Sequence, residues 1–235
     1  MKQLTIVIPC YNEQEVIQES FDRLSELSAN VEKQKDYHTR LLFVDDGSTD
    51  ATWQIIERLN KEHHRLVSGV KLAANVGHQQ ALMAGLEHAV ADSDIVLSID
   101  ADLQDYINVV PQMIDSCEAG CDIVYGVRRY RQSDTLFKRS TAQLFYRMMG
   151  RMGVKTVYNH ADFRLMSRRA VEHLCQYRER NLFLRGIVPL LGFPTATVCY
   201  DRSPRTAGTT KYSLTKDGGA GMSTTTRRTF MTTYC

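Results

Sequence analysis

Three carboxylates, Asp100, Asp102 and Asp105, fall in the stretch SIDADLQD, at the end of the apolar run Ile95-Val96-Leu97-Ser98-Ile99. Like charges this close repel, and a carboxylate withdrawn from water is costly unless something pairs with it. A divalent cation answers both problems. A D-x-D at a strand end can direct two carboxylates onto one octahedral ion, and hard oxygen ligands suit Mg²⁺ or Mn²⁺, which keep waters and bind substrate phosphates. Alone the pair is weak evidence, because acidic pairs also form solvated turns and helix caps. Asp105 reads as a cap of the following turn rather than a ligand.

The elements that must position these residues are legible in the first half. Short apolar runs (LTIVIP, LLFVDD, LVSGVKLA, DIVLSIDAD, CDIVYG) alternate with helical patterns starting near Glu13, Asp50 and Gly77. That alternation predicts an α/β fold: a Rossmann-like, mostly parallel sheet with helices on both faces. Asp50 or Thr49 is the expected N-cap of the helix carrying Trp53, Ile56 and Leu59. Ligands of such sheets bind beyond the carboxyl ends of the strands. Pro9-Cys10-Tyr11-Asn12-Glu13, Asp45-Asp46 and Asp100-Ala101-Asp102 all fall there, so three polar strand ends are expected in one crevice.

With 235 residues and 43% hydrophobic content the chain can build a sizeable core. Its net charge of +2 hides an asymmetry: residues 1–126 carry nine basic and 21 acidic side chains, and residues 127–235 carry 20 and six. Anionic partners are therefore sought in the second half. There, residues 135–152 read as a basic amphipathic helix, which suits either an anionic membrane surface or ordinary packing on the sheet. ADFRLMSRRAVEHL reads as a strand and a helix, and RERNLFLRGIVPLLGF as another helix. Six cysteines show no paired framework and read as reduced thiols. No secretory leader is evident, and no window offers the ~18 apolar residues of a spanning helix. The Gly/Thr-rich stretch 217–235 is expected to be disordered.

Taken together and in this order, VIPCYNE, VDDGSTD, NVGHQQALMAGLEHA and DADLQD resemble the inverting family-two glycosyltransferases with the glycosyltransferase A (GT-A) fold. ADFRLMSRRAV, ERNLFLRGIVPLLGF and DRSPRTAGTTKYSLTK resemble the branch that uses polyprenyl phosphate, with dolichyl-phosphate mannose synthase and the bactoprenol glucosyltransferases; the wording is nearer the glucosyl type. The likeness runs over about residues 3–216, which implies one catalytic domain with a donor-binding half (1–126) and an acceptor-side half (127–216). The resemblance implies that two transmembrane helices would follow, and the 217–235 tail is read as standing in their place.

The resemblance implies a donor pocket of Pro9, Tyr11, Asn12, Glu13, Asp45, Asp46, Asn75, Gly77, His78, Asp100, Ala101 and Asp102, with either Asp45 or Asp46 on the nucleoside. Backbone amides at Asn75-Gly77-His78 would face the donor. Asp100, Asp102 and Gln104 would hold the Mg²⁺ or Mn²⁺ on the donor diphosphate. Asp162 would orient or deprotonate the acceptor; Arg202 and Lys211 would close over the phosphates, and Arg128, Arg180 and Arg185 would bind the acceptor phosphate. The implied reaction moves a hexose, glucose from UDP-glucose, onto undecaprenyl phosphate at the cytoplasmic face of the cell membrane, for cell-surface polysaccharide modification. A saccharide acceptor, or a nucleotide-sugar-binding remnant without catalysis, remains an alternative. Homo-oligomers are admitted. A dinucleotide-binding reading lacks G-x-G-x-x-G after the first strand, and the basic half lacks the aromatic platforms of a nucleic-acid binder.

Overall fold

The computed structural model describes residues 1–103, 106–128, 160–177, 183–200 and 231–234, with Arg128, His160, Ala161 and the last four known by backbone alone. The first-half apolar runs form β1 (Lys2–Cys10), β2 (Tyr37–Asp45), β3 (Val67–Leu72), β4 (Ile95–Ser98) and β5 (Ile123–Arg128). Between them lie α1 (Ile17–Gln34), α2 (Thr52–Glu62), α3 (His78–Ala89) and, after a short 3-10 turn, α4 (Val110–Glu118). The second half adds β6 (His160–Ser167), α5 (Arg168–Leu174), α6 (Leu184–Leu190), β7 (Thr195–Tyr200) and β8 (Met231–Tyr234).

The strand order is β7-β5-β6-β4-β1-β2-β3-β8. β1 runs parallel to β2 and β4, β2 to β3, and β5 to β7, which is the mostly parallel sheet expected from the sequence. β6 is reversed between β4 and β5. Its reversal matters: Ser98, the last residue of β4, pairs with Arg164, so the amino end of β6 reaches the same edge as the carboxyl end of β4. Asp162 is thereby delivered to the crevice that Asp100 enters.

Side-chain alternation divides the core between the two faces. Leu4, Ile6 and Ile8 pack with Ile17, Phe21 and Leu24 of α1, and with α2 and α4 on the same side. Val7, Leu42 and Val44 belong to the other face, under α3, α5 and α6. Each such side chain taken fully from water contributes about 1.5–3 kcal/mol. Gly85 lets α3 lie close to the sheet, because a Cβ there would come 2.4 Å from Cγ1 of Val7 and 2.8 Å from Cγ2 of Val44. Pro9 sits in β1 without disrupting it: β4 pairs β1 only through Val7, so the missing amide falls where pairing on that side has ended.

Two local expectations need correction. The N-cap of α2 is Ala51, not Thr49 or Asp50. Asp50 lies one residue outside and accepts from the amides of Thr52 (3.0 Å) and Gln14 (3.3 Å), so it serves the helix start and the neighbouring loop together. Within the 217–235 tail, Met231–Tyr234 form a strand antiparallel to β3 rather than disordered chain. Its β-branched threonines suit strand geometry, and it pairs the edge of β3 opposite β2. The 135–152 helix lies outside the described residues. Among those described, no helix is long and apolar enough to cross a membrane.

The join between β6 and α5 is fixed by charge. Ser167 caps α5 by accepting from the Ala170 amide and donates its hydroxyl to Asp122, which also carries the guanidinium of Arg169. The Arg169 hydrogen bond holds the Asp122 carboxyl below the usual carboxylate range, against a smaller push from burial. Since its folded pKa lies below the unfolded value near ~3.9, the stabilisation is present above that value and lost as pH falls through the folded pKa. Asp122→Asn is expected to flatten the acid side of a stability-against-pH curve measured by urea unfolding, and an unchanged slope would count against the assignment.

Candidate functional site

The carboxyl ends of β1 and β2 are laced together before any ligand enters. Asn12 takes the left-handed backbone, at φ +52°, which asparagine tolerates better than most residues. Its amide donates to Oγ of Ser48 at 3.0 Å, and its side-chain oxygen accepts from the Thr49 amide at 2.9 Å. The Glu13 amide donates to Oγ1 of Thr52 at 2.8 Å. These contacts leave Tyr11, Asn12 and Glu13 half-exposed along the crevice, with Pro9 buried beneath.

The two aspartates that end β2 part company. Asp46 accepts from the Val76 amide at 2.8 Å and the Gly77 amide at 3.0 Å, one on each carboxylate oxygen. Burial pushes its carboxyl up against the pull of those two donors. Asp46 is therefore a clamp on the turn that opens α3. The expectation that the amides of Asn75, Gly77 and His78 face the donor does not hold at Gly77, whose N–H, like that of Val76, donates to Asp46. Asp45, also buried, accepts from the Ser48 amide through Oδ1, while Oδ2 has no hydrogen-bond partner among the described residues.

Gly47 makes this packing possible. Its φ is +67°, and a Cβ would lie 2.5 Å from the carbonyl carbon of Ala74 and 2.6 Å from the nitrogen of Asn75, which is backbone that cannot rotate away. Gly47→Ala is expected to lose about 1–3 kcal/mol from the left-handed strain alone, and more from the clash. Thermal unfolding against a Gly120→Ala control checks this, since Gly120 shares a positive φ with nothing within 4 Å of a Cβ.

After β4 the chain turns tightly: the Leu103 amide donates to the Asp100 carbonyl at 3.2 Å, and Leu103 itself has φ +41°. Ala101 is buried, and its carbonyl accepts from the Ser20 hydroxyl, so this residue shapes the turn. Asp100 and Asp102 are left half-exposed. Hard oxygen donors on one tight turn fit Mg²⁺ or Mn²⁺.

Asp162 is the centre of a charged cluster at this edge of the sheet. It is buried, and its carboxylate meets four side chains from three elements. Arg164 pairs with Oδ1; Gln79 donates to Oδ2 at 3.2 Å; Arg185 lies 3.5 Å from Oδ1 and 3.3 Å from Oδ2; Nε2 of His78 lies 3.4 Å from Oδ2. Burial opposes ionisation of Asp162, but the hydrogen bond from His78 and the charges of Arg164, Arg185 and His78 prevail, holding it well below the usual carboxylate range. The same His78 nitrogen lies 3.5 Å from Oδ1 of Asp100. Burial lowers the His78 pKa, but the Asp162 hydrogen bond and the charges of Asp100 and Asp162 raise it overall.

His78, Asp100 and Asp162 bring ligand-type atoms within 4.8 Å of one another. Two guanidinium groups already face Asp162, so a cation here would be repelled; this cluster reads as an ion-pair network beside the D-x-D turn rather than as the metal site.

Of the remaining expected site residues, Asn75 is exposed in the clamped turn, and Arg185 is 48% exposed with its guanidinium on Asp162. Arg128 closes β5 with only its backbone described. Gln104, Arg180, Arg202 and Lys211 lie outside the described residues. Arg164 and Gln79 escaped the sequence reading. A signal existed for Arg164: two positions from Asp162 in one strand, it shares that residue's face.

The comparisons with known proteins agree with this architecture. Residues 5–175 match Glycosyl transferase family 2. A protein of Bacillus subtilis (strain 168) called uncharacterized glycosyltransferase YkoT is 54% identical over 215 residues, covering 91% of this chain and 64% of its own. The prophage bactoprenol glucosyl transferase homolog of Escherichia coli (strain K12) is 39% identical over 212 residues, covering 90% of this chain and 67% of its own. This chain thus spans about two thirds of the length of these relatives. Among solved structures, a mannosyltransferase of Pyrobaculum calidifontis in complex with GDP-Man and Mn²⁺ superposes with a TM-score of 0.60 at 20% identity, covering 84% of this chain and 55% of the other. Glucosyl-3-phosphoglycerate synthase of Mycobacterium tuberculosis, in complex with Mn²⁺, UDP-Glc and phosphoglyceric acid, gives 0.52 at 18% identity, covering 88% and 73%. The fold is of the GT-A type, and the chain belongs to glycosyl transferase family 2.

Proposed function

We propose that this chain transfers a hexose, glucose from UDP-glucose, to a polyprenyl phosphate, with inversion at the anomeric carbon, at the cytoplasmic face of the membrane. The observation that carries the proposal is the sharing of one His78 nitrogen between Asp100 of the D-x-D turn and Asp162 beside Arg185. A donor diphosphate and an acceptor phosphate would meet across that span. The names of the bactoprenol glucosyl transferase relatives support the choice of sugar and lipid.

In this reading Tyr11, Asn12, Glu13 and Asp45 line the nucleotide pocket, while Asp46 holds the Asn75-Val76-Gly77 turn in place. Asp100 and Asp102, with Gln104, would hold Mg²⁺ or Mn²⁺, which when bound neutralises charge growing on the leaving diphosphate. Arg185 has Nε and Nη2 on Asp162, and its remaining N–H edge would bind the acceptor phosphate. Arg128, Arg180, Arg202 and Lys211 are proposed as further phosphate cations. A phosphate oxygen of the acceptor attacks the anomeric carbon; the new C–O bond forms as the bond to UDP breaks, giving a β-linked product.

Both oxygens of Asp162 face cations or N–H donors, which suits orientation better than proton removal. A phosphate monoester needs little more, because its second pKa is near ~6 and it is largely dianionic at neutral pH. That favours a phosphate acceptor over a sugar hydroxyl. The test is UDP release from UDP-glucose with Mn²⁺, with and without undecaprenyl phosphate in detergent, and with a chelator. Release that needs both lipid and metal supports the proposal; donor binding without turnover marks a nucleotide-sugar-binding remnant, and turnover onto saccharide alone refutes the lipid acceptor.

A further inference from the structure

Gln79 has no part in the chemistry above, yet its carboxamide ties three elements together. From the first turn of α3, its Nε2 donates to Asp162 on β6, and its Oε1 accepts from the amide of Leu184, the first residue of α6, each at 3.2 Å. The partners dictate the orientation of the amide, since a backbone N–H only donates and an ionised carboxylate only accepts. Leu184 needs such an acceptor. The first amides of a helix have no partner within it, and Phe183 at the N-cap provides no side-chain bond. The next residue, Arg185, lies against the same Asp162 that Gln79 holds.

We propose that Gln79 is a positioning residue: one carboxamide caps α6 and steadies Asp162, and so sets Arg185 where it receives the acceptor phosphate. The inference rests on the transfer reaction proposed above. Side-chain chemistry lets the two ends be separated. Glutamate keeps an acceptor for Leu184 but offers no donor and sets a like charge beside Asp162; methionine fills the space and offers neither.

The unaltered chain, Gln79→Met and Gln79→Glu are compared by amide hydrogen exchange, and by kinetics with UDP-glucose, Mn²⁺ and undecaprenyl phosphate in detergent. Gln79→Met is expected to speed exchange at Leu184 by about tenfold, as for one lost hydrogen bond, whereas Gln79→Glu leaves it unchanged. Both variants are expected to raise KM for the lipid phosphate by about tenfold and leave KM for UDP-glucose unchanged. A merely structural role would not split the two KM values. Unchanged exchange at Leu184 in Gln79→Met, or equal changes in both KM values, overturns the proposal. If the unaltered chain transfers no glucose, the reaction itself is refuted, and exchange at Leu184 decides whether the clamp exists.

Discussion

Asp162→Asn is expected to lower the stability of the fold by about 3–5 kcal/mol in urea unfolding, because it strands a buried guanidinium. Arg164 is 1% exposed, and its Nε and Nη1 already lack hydrogen-bond partners among the described residues, so its charge depends on the carboxylate. Removing both charges, as Asp162→Asn with Arg164→Met, is expected to recover most of the loss, since apolar replacement of a buried pair is often neutral or better. A double variant as unstable as the single one would show that the stranded charge is not the cause. Transfer is not expected to return with stability, because Arg185 and His78 lose the same partner. The size of the kinetic defect then separates two roles. General-base catalysis contributes about 10²–10⁴-fold, so a slowed but measurable rate fits orientation of a dianionic phosphate. Complete loss in a folded variant would point to a hydroxyl acceptor.

The first half was legible because it obeys local rules. Apolar runs of strand length, each followed by a helical pattern, left few ways to arrange β1 to β4, and the polar residues at their ends had to meet in one crevice. The second half was legible in its segments but not in its geometry. The strand carrying Asp162 could be read from its segment; that it runs antiparallel beside β4 depends on long-range pairing that no local pattern records. Adjacent Asp45 and Asp46 looked equivalent in VDDGSTD. Folding assigns one to the Ser48 amide and the other to the amides of Val76 and Gly77, a distinction made by residues about 30 positions away. Gln79 was invisible for the same reason, because its two partners come from β6 and α6.

Asp100→Ala is expected to remove metal-dependent UDP release, with a fall on the order of 10³-fold, the scale reached when a preorganised charge is taken from a transition state. Asp102→Ala is expected to behave alike if both carboxylates serve one ion. Asp100 lies 3.5 Å from Nε2 of His78, so its loss also loosens the link to Asp162. Asp100→Ala should therefore weaken handling of both the donor and the lipid phosphate. His78→Ala separates the contributions: it should leave Mn²⁺ binding, followed by titration calorimetry in the presence of UDP, nearly intact while raising KM for the lipid. Weak Mn²⁺ binding in His78→Ala, beside normal binding in Asp102→Ala, would relocate the ion to the His78, Asp100 and Asp162 cluster. That outcome would also require the guanidinium groups of Arg164 and Arg185 to yield their places on Asp162, which a metal-induced change in hydrogen exchange at β6 and α6 would reveal.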